Sequence, residues 1–111
     1  MKYMLLFWVD EAAESTGDED AAMLIAVKSW VEKLTEQGVR VTGGPLRSVA
    51  EGRIVRVRDD GLLVSDGPFA ETKEQIGGYY LIEAASPAAA QAWAARCPAA
   101  GHGMVELREV I

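Results

Sequence analysis

The side chains best suited to proton transfer in this sequence are one histidine and one aspartate in a turn. His102 is the only histidine of the chain, and it stands between Gly101 and Gly103. An imidazole can take up and release a proton near neutral pH, and flanking glycines allow a ligand to come close. Asp66 opens the turn Asp66-Gly67-Pro68 and is the candidate to orient that imidazole. The alternatives are a solvated loop histidine and an aspartate that only bonds its own backbone.

Other residues are candidates for binding an organic substrate. Lys73 lies in the charged loop after the turn and suits an anionic group as a point charge, whereas Glu71 suits a polar group. Arg96 is a second candidate partner for an anion, and Phe69 and Tyr79 are aromatic candidates for a pocket wall. The alternative for the loop is a solvated surface segment.

The single histidine and the single cysteine, Cys97, exclude several kinds of site. An iron site with two histidines and one carboxylate cannot form within one chain, and Cys97 and His102 lack a recognisable zinc spacing. The Gly77-Gly78 pair belongs to no phosphate-binding motif and indicates close backbone packing or a bulge. We therefore expect no metal and no cofactor. Cys97 follows the second predicted helix, where the dipole disfavours a thiolate nucleophile.

The length and the net charge of the chain limit the number of domains and the kinds of partner. The chain has 111 residues, half of them hydrophobic, which predicts a single domain over residues 1–111. Acidic residues outnumber Lys and Arg by 17 to 11, and this balance argues against a nucleic-acid partner. Acids crowd residues 10–20, whereas arginines crowd residues 40–58. These are either two solvated faces or complementary patches across a subunit contact.

The compartment predicted from the sequence is the cytoplasm. One cysteine cannot form an intrachain disulfide, which fits a reducing environment. The first residues lack the pattern of a secretory leader, and the apolar runs fall well short of the roughly 20 residues that span a bilayer. We therefore expect no membrane segment.

Periodicity and turn signals predict six strands and two helices. The first helix has a capping box from Thr16 to Glu19 and a natural stop at Gly38, and the second has Ser86 as N-cap, Pro87 at its first position and Trp93 as core anchor. The predicted strands are Tyr3–Val9, a segment from Val39 that Gly43-Gly44-Pro45 ends or bends, Arg53–Arg58, Leu62–Val64 after a hairpin turn at Asp59-Asp60-Gly61, Gly78–Glu83, and Met104–Val110.

This order predicts an α+β fold. The simplest packing is a ferredoxin-like βαββαβ antiparallel sheet with an inserted hairpin and with both helices on one face. The other face carries Trp and Tyr side chains and stays open. An open apolar face calls for a partner, so we expect a homodimer packed face to face.

One stretch resembles a known family. The segment DGPFAETKEQIGGYYLIE is similar to the signature of the YCII-related family, in its DGPF-domain branch. The opening MKYMLLF, the strand VRVRD and the tail WAARCPAAGHGMVELR resemble family segments in the same order. The resemblance implies a dimeric α/β barrel and a suspected site at His102 and Asp66. It also implies that most relatives have no assigned reaction and that some are partners of extracytoplasmic-function sigma factors, by gene neighbourhood.

Two main functions follow. The first is an enzyme that binds a small organic molecule between the sheet and the DGPF loop, with His102 moving a proton in an elimination or isomerisation and Asp66 holding it. The second is a non-enzymatic accessory that senses a ligand or meets a regulatory protein, and the acidic segment Asp10–Asp20 is its best feature. A third possibility is a purely structural dimer, in which the loop only completes the fold.

Overall fold

A computed structural model describes residues 1–10, 13, 15–67 and 74–111, and it shows an α+β chain with antiparallel strands and two helices. Two short 3₁₀ helices, Val49–Glu51 and Pro98–Gly101, complete it. In chain order the main elements are β1 (Lys2–Val9), α1 (Gly17–Glu36), β2 (Val41–Pro45), β3 (Arg53–Arg58), β4 (Gly61–Asp66), β5 (Gln75–Glu83), α2 (Pro87–Arg96) and β6 (Met104–Glu109).

Four strands form the main sheet, in the order β2-β5-β1-β6. The apolar strand β1 lies inside it and pairs antiparallel with both β5 and β6, so Leu5 lies between Tyr80 and Leu107. Side chains alternate across a strand, and this register therefore sorts every residue of the sheet to one of two faces.

The sequence signals at the ends of α1 are confirmed. Thr16 is the N-cap, and its hydroxyl oxygen accepts a hydrogen bond from the backbone N–H of Glu19 at 3.1 Å. Asp18, Glu19 and Asp20 fill the first turn, where the helix dipole favours negative charge. The helix ends at Glu36, and Gly38 follows with a φ of 77°, a conformation that glycine adopts without steric cost.

The predicted start of α2 is also confirmed. The Ser86 hydroxyl accepts from the backbone N–H of Ala89 at 3.1 Å, and Pro87 takes the first helical position, where its missing N–H costs nothing. Trp93 is buried, as predicted for a core anchor. The helix ends at Arg96, shortly before Pro98 begins a short 3₁₀ helix.

Both helices pack on one face of the sheet, as predicted. Trp30 of α1 meets Phe7 edge-on with ring centroids 6.3 Å apart, and it meets Tyr80 at 5.5 Å. Its indole N–H donates to the backbone carbonyl of Trp93 in α2 at 3.0 Å. One side chain therefore joins α1, α2 and two neighbouring strands. The other large core residues are Tyr3, Leu5, Leu34, Ile82 and Trp93.

The opposite face of the sheet is open and carries the predicted Trp and Tyr. Trp8 is half-buried there, and its indole N–H donates to Oε1 of Glu106 at 2.9 Å. Tyr79 keeps 39% of its surface exposed, whereas its neighbour Tyr80 is buried on the helix side. Met104, opposite Trp8 on β6, is 49% exposed.

The second strand differs from its prediction. It begins at Val41 rather than Val39, and it includes Gly43-Gly44-Pro45 and ends at Pro45. Gly43 has a φ of 139°, and a Cβ there would come within 2.2 Å of the Tyr79 carbonyl oxygen. Only glycine permits that close crossing. Pro45 is tolerated because β2 is an edge strand and Pro45 is its last residue.

The predicted hairpin is confirmed, but it forms a separate two-stranded ribbon. The strands β3 and β4 pair antiparallel across a turn at Asp59 and Asp60, with Val55 opposite Val64 and Val57 opposite Leu62. None of these four aliphatic side chains is buried in the chain.

The Trp30 hydrogen bond generates a stability prediction. In Trp30→Phe the Trp93 carbonyl loses its donor in a buried place, so we expect the free energy of unfolding to fall by about 2 kcal/mol. Urea unfolding followed by far-UV circular dichroism measures it. The control is Thr35→Ala, which removes an exposed bond to the Val31 carbonyl and should change stability by no more than about 0.5 kcal/mol. Equal effects of the two variants would contradict the central role of Trp30.

Candidate functional site

A cavity of about 490 Å³ lies between the middle of α1, from residue 23 to residue 31, and the helix-side face of the sheet. This volume falls within the range of small-molecule pockets. The floor is formed by β1, β2 and β5, and one end is closed by the 3₁₀ helix that carries Ala99. The lining residues on α1 are Met23, Leu24, Val27, Lys28 and Val31, and those elsewhere are Phe7, Val9, Gly43, Pro45, Gly77, Gly78, Tyr80 and Ala99.

A β-bulge shapes the floor of the cavity. The pairing of β1 with β5 shifts register between Phe7 and Trp8, and Gly77 is the residue left without a partner in the ladder. A Cβ on Gly77 would lie 2.7 Å from the Cγ2 atom of Val9, so any side chain there would push Val9 aside. The predicted role of the glycine pair, close packing at a bulge, is therefore confirmed.

The walls of the cavity suit an apolar ligand with one anionic group. They consist of aliphatic, aromatic and glycine residues, and Lys28 is the only charged side chain among the described residues that line them. Lys28 is exposed, so its ammonium group can stay in water until an anion arrives. Burial of apolar surface would supply the affinity, and Lys28 would set the orientation.

This cavity has no counterpart among the predictions from the sequence. The helical spacing of Met23, Val27 and Val31 indicates an apolar helix face, and such a face is normally taken as packed core. In the structure only Trp30 and Leu34 of α1 are buried, and Val27 and Val31 are partly buried against the core while they also line the cavity. A cluster of glycines on the facing strands is the signal that could have shown it, because residues without side chains leave space under a helix.

Asp66 lies at the end of β4 and is engaged with an arginine. Its Oδ1 accepts from Nε of Arg53, the residue paired with it across the ribbon, at 3.2 Å. The Asp66 side chain is 86% exposed. Because an exposed ion pair contributes little to stability, this contact aligns the base of the hairpin without fixing it strongly.

His102 lies elsewhere, at the end of the 3₁₀ helix Pro98–Gly101. It is exposed, and its backbone N–H donates to the carbonyl oxygen of Ala99 at 3.3 Å. Ala99 lines the cavity, so His102 stands three residues from the wall. Within the described ranges, His102 and Asp66 make no contact with each other in the single chain. Their action as a pair stays a prediction.

The two remaining predicted site residues that the structure describes, Tyr79 and Arg96, lie apart from each other. Tyr79 lies on the open face of the sheet, away from the cavity. Arg96 packs on α2's own Trp93, with the guanidinium carbon 4.5 Å from the ring centroid, which is a cation–π contact. Phe69, Glu71 and Lys73 lie outside the described residues.

A second, smaller hollow of about 270 Å³ lies at the end of β2 and β5. Its lining includes Lys2, Arg40 and Glu83, so both signs of charge are present. Glu83 already lies 3.9 Å from the N-terminal ammonium group. The cavity of about 490 Å³ is the better candidate for a ligand site. Its volume is larger, and the described residues that line it are apolar apart from Lys28.

The described parts of the chain contain no group of three or more His, Cys, Asp or Glu residues placed to hold a metal ion. No helix there is long and apolar enough to cross a membrane. Cys97 is buried beside the core, and burial raises the pKa of its thiol, which opposes a nucleophilic role.

Comparison with known proteins identifies the family of this chain. The model of the YCII-related domain matches residues 1–111. The chain belongs to the YCII-related family. An uncharacterised protein from Rhizobium meliloti (strain 1021) is 34% identical over 88 residues, which cover 78% of this chain and 71% of that protein.

Burial of Cys97 and Tyr80 generates a prediction for alkaline pH. Burial raises the pKa of the Cys97 thiol above its ordinary 9.0. It also raises the pKa of Tyr80 above 10.0, and the charge of Cys97 adds to that shift. The unfolded chain therefore loses these protons first, so the stability they contribute is complete below about pH 9 and declines as the pH rises further.

We expect the free energy of unfolding in urea to be lower at pH 10 than at pH 7.5, and we expect a smaller loss in Cys97→Ala. The wild type and Cys97→Ala are each compared with themselves at the two pH values. The effect of the substitution on the free energy of unfolding at neutral pH therefore cancels. The same loss with and without the thiol would show that Cys97 ionisation is not coupled to unfolding.

Proposed function

We propose that this YCII-related protein binds a small organic molecule with an apolar body and one anionic group, in the cavity between α1 and the sheet. The observation that carries the proposal is the cavity itself, about 490 Å³, with apolar walls and Lys28 at its edge. A concave, largely apolar surface of this size is the usual form of a ligand site.

We further propose that the protein is a homodimer in the cytoplasm, in the DGPF-domain branch of its family. The strand order β2-β5-β1-β6 agrees with a ferredoxin-like arrangement once the hairpin is set aside. The half-exposed Trp8, Tyr79 and Met104 support burial of the open sheet face against a second copy, which would form a dimeric α/β barrel.

Binding carries the proposal because the single chain gives Asp66 a different partner, Arg53, and leaves His102 exposed. Proton transfer by His102 and Asp66, in an elimination or isomerisation, is the further step that would make the protein an enzyme. The alternative is an accessory role in which the protein binds a regulatory protein such as a sigma factor. That role would use the cavity only if binding of the partner depends on a ligand.

The test compares two fluorescent probes of similar shape. One is the anion 1-anilinonaphthalene-8-sulfonate, and the other is the neutral N-phenyl-1-naphthylamine. We expect both to bind, and we expect Val27→Phe, which fills the cavity from α1, to weaken both by about ten-fold or more. Lys28→Glu should weaken the anion about ten-fold and leave the neutral probe within about two-fold.

The matched control is Lys33→Glu, on the same helix but away from the cavity, which should change neither affinity. Unchanged binding of both probes by folded Val27→Phe would place them elsewhere on the surface and overturn the proposed site. An equal effect of Lys28→Glu and Lys33→Glu on the anion would remove the specific role of Lys28.

The predicted acid–base pair is tested separately. We expect His102→Asn and Asp66→Asn to bind both probes as the wild type does, because neither residue lines the cavity. If a substrate screen finds turnover, loss of turnover in both variants with retained binding would support the pair. A large loss of probe affinity in either variant would show that the site extends to that residue.

A further inference from the structure

The smaller hollow, at the end of β2 and β5, brings together charged residues from separate parts of the chain. Lys2 of β1 lies directly opposite Glu83 of β5. The carbonyl oxygen of Arg40, just before β2, accepts a hydrogen bond from the Glu83 backbone N–H at 3.1 Å. Residues opposite each other on neighbouring strands have Cβ atoms within about 5.5 Å. The sheet register therefore places two cations and one carboxylate around a single space, and all three residues line it.

The carboxylate of Glu83 has an oxygen atom that lacks a donor. Oε2 is shielded from solvent and accepts no hydrogen bond from the described residues, although the side chain as a whole is 43% exposed. The N-terminal ammonium group lies 3.9 Å from Oε2, which is too far for a hydrogen bond. A shielded carboxylate oxygen without a donor is unfavourable, so this atom favours a ligand that brings an N–H group.

The two cations of the hollow are available to a ligand as well. Lys2 and Arg40 are exposed, and neither forms an ion pair with any residue that the structure describes. A guanidinium group can bind both oxygens of a carboxylate, and an ammonium group adds a point charge. Because the cations outnumber Glu83 in the lining, the hollow also favours a ligand with a carboxylate.

The rest of the lining is mainly apolar, and the volume limits the size of the ligand. Val41 and Leu81 are half-buried, Ile82 is buried, and Thr42 adds one hydroxyl group. The volume of about 270 Å³ lies just below the range of about 300–1,000 Å³ that is usual for drug-sized ligands. The hollow therefore suits a small molecule with an apolar side chain.

We propose that this hollow binds a free α-amino acid with an apolar side chain. The ammonium group of the amino acid donates to Glu83, and its carboxylate pairs with Arg40 and Lys2. Its side chain packs on Val41 and Leu81. A ligand with both charges satisfies all three charged residues. A plain carboxylate leaves the Glu83 oxygen without a donor, and a plain amine leaves the two cations unpaired.

The proposed amino-acid site is separate from the cavity under α1 and from the apolar end of the open sheet face. No described residue lines both the hollow and the cavity. Lys2 precedes Trp8 by six residues on β1, which is about 20 Å along the strand, and Met104 is paired with Trp8 at that far end. Every group that the site uses belongs to one chain, so binding does not require the proposed dimer.

The experiment is an amide ¹H–¹⁵N NMR titration with three probes of one shape. They are L-leucine, 4-methylpentanoate, which lacks the ammonium group, and 3-methylbutylamine, which lacks the carboxylate. Shift changes at Thr42, Leu81 and Glu83 give the dissociation constants. We expect L-leucine to bind about ten-fold or more tightly than either analogue, because only L-leucine pairs with all three charged residues. Binding of 4-methylpentanoate as tight as that of L-leucine would overturn the proposed amino-acid site.

Two variants separate the two charges of the ligand. Glu83→Gln should weaken L-leucine about ten-fold and should not weaken 4-methylpentanoate, because it changes only the acceptor for the ammonium group. Arg40→Gln should weaken L-leucine and 4-methylpentanoate by about the same factor, because both probes carry the carboxylate.

The matched controls are Glu51→Gln and Arg47→Gln, which change the two members of an exposed ion pair outside the hollow and should alter no affinity. Val27→Phe, which fills the cavity under α1, should also leave L-leucine binding unchanged, so this test and that of the cavity can fail separately. Circular dichroism confirms that each variant folds. The absence of shift changes at Thr42, Leu81 and Glu83 with millimolar L-leucine, or equal effects of Glu83→Gln and Glu51→Gln, overturns the proposal.

Discussion

The rest of the structure depends on how Trp30 is held. Its ring lies against Phe7 and Tyr80, and its indole N–H is bonded to the Trp93 carbonyl, so it ties both helices to the centre of the sheet. Leu34, one turn later, is fully buried as well. The attachment of α1 is therefore concentrated in its C-terminal half. The cavity lies between the sheet and the part of α1 from residue 23 to residue 31.

The part of α1 before Trp30 carries more apolar side chains than its packing against the sheet buries. Val27 and Met23 face the cavity, while Leu24 and Ile25 remain exposed to solvent in the single chain. Contiguous exposed apolar surface of this kind is typical of places that bind a ligand or a partner.

Much of the fold was predictable because its signals are local. The cap at Thr16 and the turn at Asp59-Asp60-Gly61 each act within a few residues, and both formed as predicted. The extent of β2 was not predictable in this way. Gly43 and Pro45 usually interrupt strands, and they are accepted here only because β2 is an edge strand that crosses close to Tyr79, which is a tertiary fact.

In the candidate site, too, some features follow from the local sequence and others depend on the tertiary fold. The sequence could identify Asp66 and His102 as chemically capable residues, but it could not show that Asp66 would be bonded to Arg53 across the ribbon. The cavity depends on which face of α1 stays unpacked, and no local pattern fixes that.

The most direct test of the ligand site is an amide ¹H–¹⁵N NMR titration of the whole chain with 1-anilinonaphthalene-8-sulfonate. The account predicts the largest shift changes at Gly77, Gly78, Lys28 and Ala99, which surround the cavity. Changes confined to residues 55–64 of the hairpin, with those four amides unmoved, would contradict it.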